Sequence, residues 1–182
     1  MARAIPKKSK AQFVEPMLLL SSESLPEGPE WLYELKLDGY RALAIKTDRT
    51  VQLRSRNDND FTSKYPLIPK ALAAMPDETV LDGELVALDA SGRPSFNSLQ
   101  NYSSTTAPIF YYVFDVLVLK GRNVMNETLD RRLELLKTEV LPKLSEPIRY
   151  VEELHGSVPD LLKAVRTYGF EGVVAKRRDS LY

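Results

Sequence analysis

The chain of 182 residues has no cysteine and a single histidine, His155. Without thiols there is no disulfide, no thiolate zinc site and no cysteine nucleophile, and a serine triad has only one base to draw on. His155 stands among Glu152, Glu153 and Gly156, which reads as a surface loop at a strand end. Its ordinary pKa permits catalysis without arguing for it. Long apolar runs are also missing. The longest, Ile109 to Leu119, carries Asp115 in its middle and falls far short of the roughly 20 residues that a membrane span needs. Near the N-terminus Lys7, Lys8 and Lys10 precede Met17 to Leu20, but Glu15 and Pro16 interrupt any signal-type run. These absences point to a cytoplasmic protein with no membrane partner.

An excess of charge is lacking too, since 25 basic residues balance 25 acidic ones. A chain without net charge does not attract nucleic acid as a whole, so any grip on DNA comes from local patches or a further domain. Candidate patches are Arg54 with Arg56, Arg131 with Arg132, and Lys176 with Arg177 and Arg178. Each of these is more often a solvated face. No GxxxxGK[ST] loop is present, which excludes a Walker-type phosphate cradle.

What remains is an ordinary globular composition, 43% hydrophobic and 27% charged, in a chain that is expected to form one compact unit. Alternation predicts a strand from Trp31 to Asp38 with Glu34, Lys36 and Asp38 on one face. Gly39 allows a bend or a close backbone approach. Tyr40 to Lys46 and Val51 to Arg56 then read as an antiparallel pair turning at Thr47, Asp48 and Arg49. A short helix is expected from Leu67 to Met75, with Pro69 in its first turn. Val80 to Leu88 is the next strand and places Asp82 and Glu84 on a shared face. Ile109 to Leu119 reads as a strand buried on both sides, so Asp115 needs a partner. Helices follow from Leu129 to Leu141, capped by Thr128, and from Ser157 to Gly169; Phe170 to Lys176 is a final strand. Strands outnumber helices and hairpin neighbours dominate, which predicts an α+β fold with largely antiparallel sheets flanked by helices.

A strand face bearing several charges invites chemistry. For a lysine to attack phosphorus it must be neutral, and a bound divalent ion with nearby cations would favour that form. Asp82, Glu84 and Glu171 are candidate metal ligands, because magnesium takes one or two carboxylates together with water and phosphate oxygens. Tyr112 and Phe114 share a strand face that excludes Tyr111 and offer rings for a nucleotide base, although an aromatic strand is more often core.

The segment Lys36-Leu37-Asp38-Gly39-Tyr40-Arg41 matches KxDGxR, a pattern that chance produces in about one chain in a few hundred. In order after it come Ser55-Arg56-Asn57, Asp82-Gly83-Glu84-Leu85-Val86, Tyr112-Val113-Phe114-Asp115 and Glu171-Gly172-Val173-Val174-Ala175-Lys176. This series resembles the covalent nucleotidyltransferases, which comprise DNA ligases, RNA ligases and capping enzymes. Ser95-Phe96-Asn97-Ser98-Leu99-Gln100 is similar to ATP-dependent DNA ligases, and Arg56 to Thr62 to the ligase domain of bacterial non-homologous end-joining ligases. The resemblance covers Met17 to Tyr182.

The resemblance implies an adenylation domain using ATP and Mg2+ or Mn2+, with nicked double-stranded DNA as substrate. A Ku-type end-binding protein and further domains of the same polypeptide are the implied partners, in a bacterial, nucleoid-associated setting. Lys36 would form the lysyl-AMP, with Asp38 near the attacking 3′-hydroxyl. Glu34 would meet the adenine edge at backbone level, Phe114 the adenine face, and Arg41 AMP and the nick. Arg56 would touch the ribose or 5′-phosphate, Glu84 the ribose hydroxyl or metal, and Glu171 the metal. Lys176 belongs to the same set, yet strict alternation puts it and Glu171 on opposite strand faces. The family continues into a Lys-x-Lys motif and an OB-fold domain, so residues 1–182 read as an adenylation domain that stops before both. RNA ligase, capping-type guanylyltransferase and a non-catalytic nucleotide-binding relative are the alternative readings.

Overall fold

A computed structural model describes residues 9–102 and 107–182; Lys7 and Lys8 lie outside the described residues. Alternating sequence folds as alternating structure. Strand β1 (Trp31–Lys36) ends just before Gly39, and β2 (Tyr40–Thr47) runs into β3 (Thr50–Ser55). The turn between β2 and β3 holds both Asp48 (φ 48°) and Arg49 (φ 65°) in the left-handed region, the handedness that matches the twist of a two-residue hairpin. Next come α1 (Leu67–Leu72), β4 (Thr79–Ala87), α2 (Phe96–Gln100) and β5 (Ile109–Leu119). The chain closes with β6 (Arg122–Asn123), α3 (Leu129–Leu135), β7 (Ile148–Tyr150), β8 (Glu153–Leu154), α4 (Val158–Tyr168) and β9 (Gly172–Arg177).

These strands form two sheets. The larger has the order β3-β2-β4-β5-β6, with β7 also beside β5, and the smaller has the order β8-β1-β9. All pairings are antiparallel except β5 with β7. The α+β expectation therefore holds. One face of the larger sheet buries Ala42, Ala44, Leu81, Leu85, Tyr111 and Val113 in a core closed by Ile68 and Leu72 of α1 and Leu129 and Leu133 of α3. On the opposite face Leu43, Ile45, Val80 and Leu117 pack with Ala11, Phe13 and Tyr182. The smaller sheet buries Tyr33 against Val158 and Leu161 of α4, the apolar stripe of a helix capped by Ser157 and ended by Gly169 at φ 70°.

Several expectations need correction. Only Leu129–Leu135 is α-helical; Leu136–Val140 forms a wider π turn and Leu141–Lys143 a 3-10 turn. Pro142 has no N–H to give to the carbonyl four residues back, so the α ladder cannot continue through it. Helix α1 ends at Leu72 rather than Met75. The Arg131–Arg132 patch does not exist as a surface feature, because Arg132 is buried and makes a bidentate ion pair with Asp115 at 2.8 and 2.9 Å. Arg132 is the partner that Asp115 required.

Candidate active site

Side chains of the two sheets approach one another, Lys176 over the Phe114 ring and Lys36 near Glu84, and the charged residues of the KxDGxR segment are divided between the two sides of this cleft. Glu34 and Lys36 belong to β1 of the smaller sheet, whereas Arg41 opens β2 of the larger one. Gly39 makes the passage possible. A Cβ there would lie 2.1 Å from the Leu85 carbonyl oxygen and 3.0 Å from Glu84 Cγ, so only glycine lets this loop rest on the strand that carries Glu84. Gly83 permits an equally close approach on β4 itself, where a Cβ would stand 2.5 Å from the Tyr112 carbonyl oxygen.

Lys36 is paired with Gly172 in the register of β1 and β9, and its ammonium forms an ion pair with Glu171. Both side chains remain partly open, at 40% and 38% exposure. Two residues back, Glu34 is buried, with one carboxylate oxygen 2.6 Å from Lys176 Nζ and the other without a hydrogen-bond partner among the described residues. Burial pushes the Glu34 carboxyl above its ordinary value, and the Lys176 charge pulls it back. Lys176 also sits 4.5 Å from the Phe114 ring centre.

From the larger sheet, Arg41 pairs in register with Glu84 and shares its face with Asp82. Its Nε and Nη2 donate to the two Asp82 oxygens at 2.5 and 2.6 Å, and its guanidinium lies 4.6 Å from the Phe114 ring centre. Burial works against the Arg41 charge, but the Asp82 hydrogen bonds and charge outweigh it and hold the group above its ordinary value. Among the described residues Glu84 has no such clamp. Burial raises its carboxyl to about 8, with Arg41 and Lys36 opposing and Asp82 and Asp38 adding to the rise. These influences show that both sheets converge on Glu84. Asp38 and Arg56 are exposed beside the cleft, and the Arg56 N–H donates to the Arg41 carbonyl at 3.2 Å.

Glu34, Lys36, Arg41, Glu84, Phe114, Glu171 and Lys176 therefore come together. Strict alternation fails for Glu171 because it precedes the first residue of β9, so it meets Lys36 while Lys176 turns to Glu34 on the same side. Phe114 is the extra residue of a bulge between the Gly83–Val113 and Asp82–Asp115 pairs, which throws its ring between Arg41 and Lys176. Tyr111, excluded from this face by parity, is indeed in the core with its hydroxyl 2.8 Å from the Ala42 carbonyl oxygen. The trio Asp82, Glu84 and Glu171 does not assemble. Asp82 is fully buried with both oxygens engaged, and no group of three acidic or histidine side chains among the described residues could hold a metal ion. Glu84 and Glu171 remain as hard oxygen donors, enough for a magnesium ion that takes its other ligands from phosphate and water.

The remaining basic patches are largely committed as well. Arg54 is paired with Asp58, and Arg178 with Asp130 and Glu153. Tyr182 is a site residue that the sequence does not signal: its hydroxyl donates to Asp82 at 2.6 Å. Arg149 lies 3.8 Å over the Phe110 ring and donates to the Tyr112 hydroxyl at 3.0 Å.

Comparison with known proteins identifies the family. A family model described as the ATP dependent DNA ligase domain matches residues 12–182. The multifunctional non-homologous end joining protein LigD of Pseudomonas aeruginosa is 37% identical over 179 residues, covering 97% of this chain and 21% of that protein. The SPbeta prophage-derived DNA ligase-like protein LigB of Bacillus subtilis is 31% identical, over 93% of this chain and 63% of that one. Among solved structures, a mycobacterial DNA ligase D complexed with ATP and MES superposes with a TM-score of 0.72 at 38% identity, covering 84% of this chain and 50% of that one. The chain spans about a fifth of the length of the LigD proteins it matches. With a family match along nearly its whole length and a cleft that gathers the motif residues, the chain belongs to the ATP-dependent DNA ligase domain family.

Proposed function

We propose that this domain performs the nucleotidyl-transfer chemistry of an ATP-dependent DNA ligase, with Lys36 as the nucleophile. The observation that carries the reading is the position of Lys36: partly open, paired with Glu171, and facing a cleft into which Arg41, Glu84 and Phe114 also project. The neutral Lys36 amine attacks the α-phosphorus of ATP; the N–P bond forms, the bond to pyrophosphate breaks, and the amine loses a proton. A DNA 5′-phosphate oxygen then takes the AMP and the N–P bond breaks. Finally the 3′-hydroxyl attacks that 5′-phosphorus, expels AMP and closes the phosphodiester.

Phe114 offers a face for the adenine and Glu34 lies at its edge. Arg41 and Arg56 hold AMP and the phosphates of the nick, Lys176 completes the nucleotide contacts, and Asp38 stands at the lip where a 3′-hydroxyl arrives. Glu84 and Glu171 would hold the magnesium or manganese ion, which when bound neutralises phosphate charge and favours the neutral amine. Nicked duplex DNA is the substrate. The LigD relatives are named for non-homologous end joining, which makes a break-repair role in the bacterial cytoplasm, with an end-binding partner and further domains of the polypeptide, the fitting context. Among the described residues no helix is long and apolar enough to cross a membrane.

The test uses the full-length protein incubated with ATP labelled at the α-phosphate. A covalent label is expected on the wild type and none on Lys36→Ala; a label that persists in the variant, or that forms only from GTP, would overturn the reading.

A further inference from the structure

The Asp82 carboxylate is held from two sides, and only one of them is the KxDGxR segment. Arg41 Nε donates to Oδ1 at 2.5 Å and Arg41 Nη2 to Oδ2 at 2.6 Å. The Tyr182 hydroxyl donates to Oδ2 as well, at 2.6 Å, and its oxygen accepts the Met17 N–H at 3.0 Å. Asp82 itself is completely buried. A buried carboxylate needs most of its lone pairs satisfied, and here the phenol satisfies one that the guanidinium leaves open.

Tyr182 is not a loose terminal side chain that happens to touch the site. Its backbone N–H donates to the Met125 carbonyl at 2.9 Å, and its ring packs in the apolar cluster with Leu43, Ile45 and Leu117. The Arg132 guanidinium lies 5.7 Å from its ring centre and donates to the Ser180 carbonyl at 3.0 Å. Arg132 is in turn locked onto Asp115 of β5. The phenol is thus aimed from the rigid side of the fold. Arg41 presents its Nε and Nη2 edge to Asp82, with Nη2 also 3.4 Å from the Met17 carbonyl oxygen; among the described residues Nη1 has no hydrogen-bond partner and is left for an incoming anion.

We propose that Tyr182 is a positioning residue for Arg41: by fixing the buried Asp82 carboxylate it sets the plane in which the free edge of the Arg41 guanidinium meets phosphate. The assignment rests on the nucleotidyl-transfer reading above. A guanidinium aimed by a fixed carboxylate loses less freedom on meeting a transition state than one aimed by a mobile group. The effect therefore falls on the rate of phosphate chemistry rather than on capture of the nucleotide, whose base and ribose contacts lie elsewhere in the cleft.

The experiment compares wild type, Tyr182→Phe, Arg41→Lys and the double variant, all in the full-length protein. Tyr182→Phe keeps the ring, the Arg132 contact and the volume. Single-turnover formation of the covalent AMP label and single-turnover sealing of pre-adenylylated nicked DNA are measured with ATP titrations and thermal melts. Tyr182→Phe is expected to slow at least one of the two steps about ten-fold, the scale of one hydrogen bond to a charged group, with the KM for ATP unchanged within about two-fold. In the Arg41→Lys background, where the fork is gone, the same substitution should add almost nothing. Equal slowing in both backgrounds, or no slowing at all, overturns the assignment. Should Tyr182→Phe fail to fold, Asp82→Asn keeps the side-chain volume and removes the charge that Tyr182 and Arg41 share. It must then show the same rate loss without a KM change. Lys36→Ala in parallel separates the two readings: label that survives it defeats the ligase chemistry and this assignment together, whereas label lost with Lys36 but indifferent to Tyr182 defeats this assignment alone.

Discussion

The Lys176 ammonium stands 2.6 Å from a Glu34 carboxylate oxygen and 4.5 Å from the Phe114 ring centre, so one cation joins β9, β1 and β5 at the floor of the cleft. Replacing it with methionine leaves Glu34 buried without its counter-charge. Lys176→Met should lower stability by about 3 kcal/mol, the scale of breaking a buried pair, since Lys176 Nζ is itself buried. Urea denaturation measures the loss. Adding Glu34→Gln to the same chain should restore some of it, and a further fall would show that the pair is not the source.

Glu84 gives the fold a pH dependence with a definite sign. Its carboxyl rises on folding from the ordinary 4.5 to about 8, chiefly through burial, so between those values the folded state binds a proton that the unfolded state has lost. Stability of the ligand-free domain should therefore fall as pH climbs through that window. Glu84→Gln should flatten this decline and leave stability near pH 4.5 almost unchanged. Melting curves across the range provide the check, and an equal decline in the variant would assign the effect to another group.

The Asp115–Arg132 pair carries structural weight beneath the site, with both partners at least nine-tenths buried. Asp115→Asn strands a guanidinium and should cost about 3 kcal/mol, equivalent to a melting shift of about 6 to 12 °C in a chain of this size. Calorimetry settles it; a shift of a degree or less would mean that the carbonyl contacts of Arg132 to Glu127 and Ser180 suffice.

At Gly39 the obstacle is steric, since a Cβ would sit 2.1 Å from a backbone oxygen that cannot swing away. Gly39→Ala should destabilise the domain by about 1 to 3 kcal/mol as the loop is forced off β4. The displacement of Lys36 from Arg41 should lower AMP labelling about a hundred-fold. Labelling close to wild type would show that the loop has another way across.

Much of this was legible in the sequence because local physics dominates there. The β2–β3 hairpin, the caps at Thr128 and Ser157, the full extent of β5 and the need of Asp115 for a partner all follow from patterns within a few residues. The grouping of Lys36, Arg41, Glu84, Phe114 and Glu171 followed from resemblance, and the geometry brings them together. Long-range pairing was not legible. Nothing between Trp31 and Thr47 says that β1 and β2 enter different sheets, and the short strands β7 and β8 have too few residues to show a period. Arg132 looked like half of a surface patch because adjacency to Arg131 is local, while its partner is 17 residues away. Asp82 looked like a metal ligand because parity reports a face without reporting what already occupies it.

The change of sheet between Lys36 and Tyr40 has a mechanical consequence. Only Leu37, Asp38 and Gly39 span the gap between the strand that ends at Lys36 and the strand that begins at Tyr40, and Gly39 is pressed onto β4 with no slack to give. The two sheets are joined there by a tether too short to stretch. Four peptide units join the Cα of Lys36 to that of Tyr40, so the two backbones cannot stand more than about 14 Å apart at this edge, and Val151 with Glu152, between β7 and β8, ties the same two sheets a second time.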